Sequence, residues 1–199
     1  MIEAVSGVLT AFGLSASAGL NAYLPLMVVA LLARFTTLIT LGPPYDHLTN
    51  GWVILVIGVL LSIELFADRV AGLDTANDIV QTFIRPAAGA ILFAASSSVI
   101  SDIHPVLALI CGLIVAGGVH ATKATVRPVV TGTSGGLLNP VVSTVEDVTS
   151  LVLTLVSILI PLLTGFLLGG ALVIVVWWLI ARRRRRELAS RELLIRRGS

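Results

Sequence analysis

Long apolar segments determine the solvent in which this chain can fold. Gly51–Phe66 carries one charged residue, Glu64, and Leu151–Ala181 carries none. A helix needs about 20 mostly apolar residues to cross the hydrocarbon core of a bilayer. Charged residues make up 12% of the chain, against roughly 25% in soluble domains. The sequence therefore excludes an ordinary soluble domain and predicts an all-α, polytopic membrane helix bundle.

About six transmembrane helices are predicted from the apolar segments. The first is Gly7–Ala33, in which Pro25 removes the hydrogen bond to the carbonyl of Asn21 and is expected to kink or interrupt the helix. If the helix breaks, Asn21 and the freed backbone are expected to line a site. The second is Gly51–Phe66, and the third starts near Ala76, after a capping box at Thr75–Asp78, and should bend at Pro86.

The last three predicted spans are separated by proline and glycine signals. The fourth starts at Val106 and should stop at Pro128, followed by a flexible loop at 131–136. Asn139-Pro140 has the preferences of a helix start and opens the fifth span. Leu151–Ala181 is too long for one crossing, so it is divided at Ile160-Pro161. Residues 1–181 form one transmembrane domain, and 182–199 form a basic cytoplasmic tail.

Basic residues are distributed unevenly over the predicted topology. With both termini on one side, that side receives twelve of the 13 lysines and arginines, and the other receives only Arg34. Cytoplasmic loops are rich in lysine and arginine. The pattern predicts a multi-pass protein of the bacterial inner membrane with both termini in the cytoplasm.

Two predicted hairpins form a pseudo-repeat with opposite charge signs. In spans two and three, Glu64 and Asp68 precede Arg85. In spans four and five, a basic end (His120, Lys123 and Arg127) precedes Glu146 and Asp147. We expect Glu64 and Asp68 to pair with Lys123 or Arg127, and Arg85 to pair with Glu146 or Asp147.

Several motifs resemble a bacterial family of integral membrane proteins known only as a domain of unknown function. They are SAGLNAYLPL, ELFADRVAGLD, FIRPAAGA and HATKATVRP, followed by GTSGGLLNPVVSTVED. The resemblance covers nearly the whole chain except the arginine tail. It implies a polytopic inner-membrane protein, and it supplies no catalytic or binding residues.

Three functions are compatible with charges inside a membrane protein, where ionisable groups are costly and usually functional. The favoured hypothesis is transport or flipping of a small or amphiphilic substrate, including an anionic one. The alternatives are a structural or accessory subunit and a lipid-headgroup enzyme that uses Glu64, Asp68, Asp74 and Asp78 as Mg²⁺ or Ca²⁺ ligands. The candidate substrate- or ion-binding residues are Asn21, Glu64, Asp68, Asp78, Arg85, His120, Lys123, Arg127, Asn139, Glu146 and Asp147.

No cofactor, catalytic residue or nucleic-acid partner is predicted. Membrane lipids are the expected partners. Small residues four apart in the first span, Gly13 with Ser17 and Ser15 with Gly19, let another helix approach closely. This face would permit a homo-oligomer.

Overall fold

The computed structural model describes residues 2–69, 73–97 and 103–197, and in these ranges it contains helices and no strand. All-α architecture is therefore confirmed. A short 3₁₀ helix, Tyr45–Thr49, precedes the third α-helix. The α-helices are α1 (Ile2–Leu20), α2 (Tyr23–Phe35), α3 (Gly51–Ala67), α4 (Leu73–Ser97), α5 (Pro105–Ser134), α6 (Asn139–Leu159) and α7 (Pro161–Arg197).

The first apolar segment is a re-entrant pair of helices rather than one crossing. α1 runs parallel to α5, with Ser15 bonded to the Gly112 carbonyl and Lys123 bonded to the Leu20 carbonyl. α2 then returns along α3, with Met27 against Gly58 and Arg34 against Gly51. The start of α1, Val29 of α2 and the residues that follow α2 (38–40) line one pocket, together with Ser96 at the end of α4 and Ile158 at the end of α6.

The first segment is interrupted at Asn21 and Ala22, which confirms the predicted break near Asn21, although the break lies ahead of Pro25. Asn21 stands outside both helices, and its Oδ1 accepts a hydrogen bond of 2.9 Å from the Leu24 amide. Pro25 is the third residue of α2, where the backbone nitrogen needs no intrahelical acceptor. The proline therefore fits within the returning helix instead of kinking a continuous one.

The bundle has two ends. The Pro105 end contains the starts of α1, α3 and α5 and the ends of α2, α4 and α6, and the Asn139 end contains the opposite termini of α3 to α6. Placing both termini on one side assumed that α1 and α2 make a single crossing. Because they turn back, the start of α1 lies at the Pro105 end, opposite to the charged turn that follows α3.

α1 forms the centre of the bundle and packs against α4, α5 and α6. α4 and α5 lie in close contact at their glycines. A Cβ on Gly112 would collide with the Gly89 carbonyl and with the backbone of Ala90. Gly13 and Gly19 of α1 face side chains of α6 and α5 within the same chain. The small-residue face of α1 is thus occupied by helices of the same chain.

Several predicted boundaries are corrected by the structure. α4 already includes Leu73, ahead of the predicted cap, and continues through Pro86. α5 continues through Pro128 to Ser134 and ends at Gly135 with φ +60°, so most of the predicted loop is helical. α6 starts at Asn139, as predicted, but the residue before it is Leu138 and no side chain caps this helix. A short turn is also expected at Ser101–Pro105, and its first two residues lie outside the described part of the chain.

The division at Ile160-Pro161 is confirmed, since α6 ends at Leu159 and α7 starts at Pro161. Residues from Gly165 onward form a unit of their own, a helix that extends to Arg197 and includes most of the basic tail. Within it the Arg182 guanidinium lies 5.1 Å from the Trp178 ring centroid. The side chains described there, from Leu172 to Trp178, are largely exposed.

Four helical segments are long and apolar enough to cross a membrane: Asn77–Ser96, Pro105–Ser134, Asn139–Leu159 and Pro161–Trp178. Three shorter apolar segments accompany them: Ala4–Leu20, Tyr23–Phe35 and Gly51–Ala67. Lipid-facing surfaces are apolar, and many large hydrophobic side chains of this chain are indeed exposed, among them Phe83 at 77% and Ile114 at 64%. The chain is a helical membrane protein.

Candidate functional site

Charged side chains from four helices meet inside the bundle, toward the Asn139 end. We call these residues the charged cluster. Its five carboxylates outnumber its four cations by one, so its formal charge is −1. The members are Glu64, Asp68, Arg69, Asp78, Arg85, Lys123, Arg127, Glu146 and Asp147.

Arg85 is the most enclosed cation of the charged cluster. Its side chain is 0% exposed, and Nη2 lies 3.1 Å from Oε1 of Glu64, which is also 0% exposed. Asp78 and Asp68 lie 3.6 and 3.8 Å from the same guanidinium. The second oxygen of Glu64, Oε2, is buried and has no hydrogen-bond partner in the described part of the chain. Buried charges of this kind are tolerated only when paired.

Lys123 and Arg127 link α5 to the acids of α3, α4 and α6. Lys123 Nζ lies 2.8 Å from Glu146 and 3.8 Å from Asp68. Arg127 Nη1 lies 3.1 Å from both carboxylate oxygens of Asp78, and Nη2 donates to the Ser143 hydroxyl at 2.7 Å. The two cations are one helical turn apart, so one face of α5 supplies both.

His120 is neutral in this arrangement, because its neighbours dictate its tautomer. Arg85 Nη1 can only donate, so Nδ1 of His120, at 3.1 Å, must accept. The Thr82 hydroxyl donates its one proton to the Asp78 carbonyl, so its oxygen accepts from Nε2 of His120 at 3.1 Å. A second proton would stand on Nδ1 and face the guanidinium.

The turn of the re-entrant pair reaches the charged cluster. Asn21 is 0% exposed, and its Nδ2 donates to Asp147 Oδ1 at 2.9 Å. Lys123 Nζ donates to the Leu20 carbonyl, at 3.3 Å, at the end of α1. A helix end carries partial negative charge at its carbonyls, and a helix start carries partial positive charge at its amides. The cation therefore faces the end of α1, and the acid lies near the start of α2.

A line of buried hydroxyls extends from the charged cluster toward the Pro105 end. We call it the polar seam. Ser150 donates to the Ser17 carbonyl, Thr154 donates to the Ser17 hydroxyl, both at 3.0 Å, and Thr10 donates to the Ser157 carbonyl at 2.8 Å. The α6 members are spaced by seven, four and three residues and so share one face. They are Ser143, Ser150, Thr154 and Ser157, each 0% exposed, and the α1 members are Thr10 and Ser17.

Two pockets lie at opposite ends of these polar groups. The first, of about 520 Å³, is lined by α4 and α5 and includes Asp78 and Arg127 of the charged cluster. The second, of about 340 Å³, lies at the Pro105 end and includes Thr10 of the polar seam. The polar seam therefore runs from the charged cluster to a pocket at the other end.

The structure brings most of the predicted candidate residues together. Ten of the eleven candidates lie in or directly against the charged cluster, and Asn139 instead accepts a hydrogen bond from Thr131 at the rim. The expected pairs of Asp68 with Lys123 and Arg127 are present. Arg85, however, pairs with the acids of its own hairpin rather than with Glu146 or Asp147, because α4 turns that face toward α3.

Sequence reasoning missed the hydroxyl groups. Thr82, Ser143 and Ser150 make interhelical contacts that no charge pattern marks, although the regular spacing of Ser143, Asp147, Ser150, Thr154 and Ser157 would have revealed their common face. Among the described residues, no group of three histidine, cysteine, aspartate or glutamate side chains is arranged to hold a metal ion.

Comparison with known proteins identifies the family. No curated protein and no solved structure matches the chain. One family model matches residues 8–182, which include every residue of the charged cluster and of the polar seam. The chain therefore belongs to the family described as domain of unknown function DUF4126.

Proposed function

We propose that this protein transports or flips a small polar or amphiphilic substrate across a bacterial inner membrane, using the charged cluster as its intramembrane site. The observation that carries the proposal is the re-entrant pair α1–α2, whose turn at Asn21 meets Asp147 and Lys123 inside the bundle. Non-helical backbone at membrane depth is tolerated where protein buries it or where it lines a polar cavity. Transporters build substrate sites from such interrupted helices.

The polar seam supports the same function. Interhelical hydrogen bonds in membrane proteins contribute only about 0.6 kcal/mol each on average, so stability is a weak reason to keep hydroxyls along a whole helix face. A substrate that leaves the charged cluster toward the Pro105 end would need such groups in succession. Thr154 and Ser150 occupy the middle of that route, where lipid cannot supply hydrogen bonds.

The proposal includes an orientation. Arg69, Arg85, Lys123 and Arg127 belong to the Asn139 half of the bundle, so we place this end in the cytoplasm. Because α1 starts at the Pro105 end, the N-terminus is then on the opposite side from the charged turn. By the same charge rule, we place the arginine tail in the cytoplasm.

A structural or accessory role is the second candidate, and one observation favours it. Each cation of the charged cluster already has an acid within 4 Å, as expected for charges that only join helices. The two candidates differ in whether water reaches the polar seam, since a substrate path must be hydrated at some stage and helix-joining pairs can remain dry.

Cysteine accessibility separates these candidates. In a Cys111→Ala background, reconstituted Ser150→Cys should react with a small charged methanethiosulfonate reagent added to vesicles. Val148→Cys, on the 54% exposed lipid-facing side of α6, should not react, because the reagent needs a hydrated thiolate. An inert Ser150→Cys would contradict transport and favour the structural role.

A flux measurement then tests transport itself. Vesicles containing the full chain should either scramble a fluorescent phospholipid or dissipate a proton or phosphate gradient faster than empty vesicles. Asn21→Ala should slow that flux, while Asn50→Ala, which removes only the exposed cap of α3, should leave it unchanged. Equal rates with and without protein in all three assays would refute the proposal.

A further inference from the structure

The pocket between α4 and α5 opens toward lipid. Ile79 lines it and is 66% exposed, and its neighbours Phe83 and Val129 are 77% and 64% exposed. Large apolar side chains exposed on membrane-spanning helices face acyl chains. A molecule in this pocket can thus enter sideways from the bilayer. The residues that line the pocket include Asp78, Ile79, Thr82, Ala124, Arg127 and Pro128.

The inner wall of this pocket presents both charge signs side by side. Arg127 Nη1 contacts both oxygens of Asp78 at 3.1 Å, and the Asp78 side chain is 18% exposed. Ser143, on α6, holds the other guanidinium nitrogen at 2.7 Å. The carboxylate is therefore the more accessible partner, and the guanidinium keeps its position when the carboxylate turns away.

A ligand with one charge sign would replace the close ion pair of one of these residues and not of the other. An anion that took Arg127 would leave Asp78 with the more distant Arg85 guanidinium, at 3.6 Å, and a cation that took Asp78 would leave Arg127 with the more distant Asp68, at 3.9 Å. Weakening the pairing of a buried charge is unfavourable. A head group with both signs a few ångströms apart replaces each lost partner and preserves the total charge.

We infer that the α4–α5 pocket binds the zwitterionic head group of a phosphatidylethanolamine-type lipid. Its phosphate diester binds Arg127, its primary ammonium binds Asp78, and its chains lie against Ile79 and Phe83. The ammonium donates hydrogen bonds to the carboxylate, which a quaternary choline head group cannot do.

This inference deepens the proposed function, on which it rests for the meaning of the site, by naming the class of amphiphile. Binding is measurable without flux, so the two can fail separately. A pocket that binds this lipid without any flux would overturn transport and retain the binding site. Flux without head-group preference would retain transport and overturn the binding site.

The test titrates the purified full chain in detergent with dioctanoyl phosphatidylethanolamine, phosphatidylcholine and phosphatidylglycerol, using native mass spectrometry. Phosphatidylethanolamine should bind about tenfold more tightly than the other two, as expected for one good charge-assisted contact. Soluble glycerophosphoethanolamine should bind much more weakly, because it lacks chains for Ile79 and Phe83. Equal affinities, or tightest binding of phosphatidylglycerol, would overturn the inference.

Variants locate the binding. Ala124→Trp fills the pocket without replacing a charged residue and should abolish the preference, whereas Ala121→Trp, exposed on α5 but outside the pocket, should preserve it. Asp78→Asn should remove the advantage of phosphatidylethanolamine over phosphatidylglycerol. Unchanged selectivity in folded Ala124→Trp protein would place the lipid elsewhere and overturn the assignment.

Discussion

Removing Arg85 provides the most demanding test of the charged cluster. Arg85→Met keeps much of the side-chain volume but deletes the only ion-pair partner that Glu64 has in the described part of the chain. Both side chains are 0% exposed, so the carboxylate would be left buried and charged. Breaking a buried pair in this way costs about 3–5 kcal/mol. At about 2–4 °C per kcal/mol for a chain of this size, the melting temperature should fall by about 6–20 °C.

The assay is thermal unfolding of purified protein in detergent, followed by circular dichroism. The matched control is Arg34→Met, because Arg34 is exposed. It donates a hydrogen bond to the Thr49 carbonyl and lies over the Phe35 ring, and it has no ion pair in the described part of the chain. A second variant, Arg85→Met with Glu64→Gln, removes both charges and should recover a substantial part of the loss. If Arg85→Met were no worse than the control, or if the double variant gave the sum of the single losses, the ion-pair account would be refuted.

Three further predictions follow from separate contacts. Asn21→Ala removes a buried hydrogen bond and leaves Asp147 Oδ1 without its donor, so we expect a loss of about 1–3 kcal/mol in the same unfolding assay. His120→Asn keeps an acceptor near Nδ1 and should be tolerated, whereas His120→Lys puts a cation beside Arg85 and should prevent stable purification. Gly112→Ala should destabilise by about 1–3 kcal/mol through overpacking, whereas Gly118→Ala on the same helix, where nothing lies within 4 Å, should be neutral or slightly stabilising in the same melts.

The location of the site was predictable because charge inside an apolar chain is rare. Each acid or base in the middle of an apolar segment must find a partner, so Glu64, Arg85, Lys123 and Asp147 had to converge. The choice of partner was not predictable. It depends on the rotation of each helix about its axis, which is decided by small-residue contacts such as Gly89 against Gly112.

The break at Asn21 was predicted, but the reversal of direction that follows it could not be foreseen, for a physical reason. A reversal inside an apolar segment needs only the two residues between Leu20 and Tyr23, and both flanking helices keep the composition of a normal span. Pro25 pointed to a break, yet it fits equally well in the first turn of a returning helix. Pro128 was predicted to end a helix, but α5 continues past it. Tertiary packing can hold a membrane helix across one missing hydrogen bond.

The return of α2 toward the start of α1 is the claim on which the site depends, because it places Asn21 inside the bundle. The direct measurement is the distance between spin labels at Ser6→Cys and Leu38→Cys in a Cys111→Ala background, by pulsed electron paramagnetic resonance in lipid. The two positions line one pocket, so the account predicts a short distance. A single crossing over 7–33 would separate them by about 40 Å, at 1.5 Å per residue. A distance near that value would contradict the account.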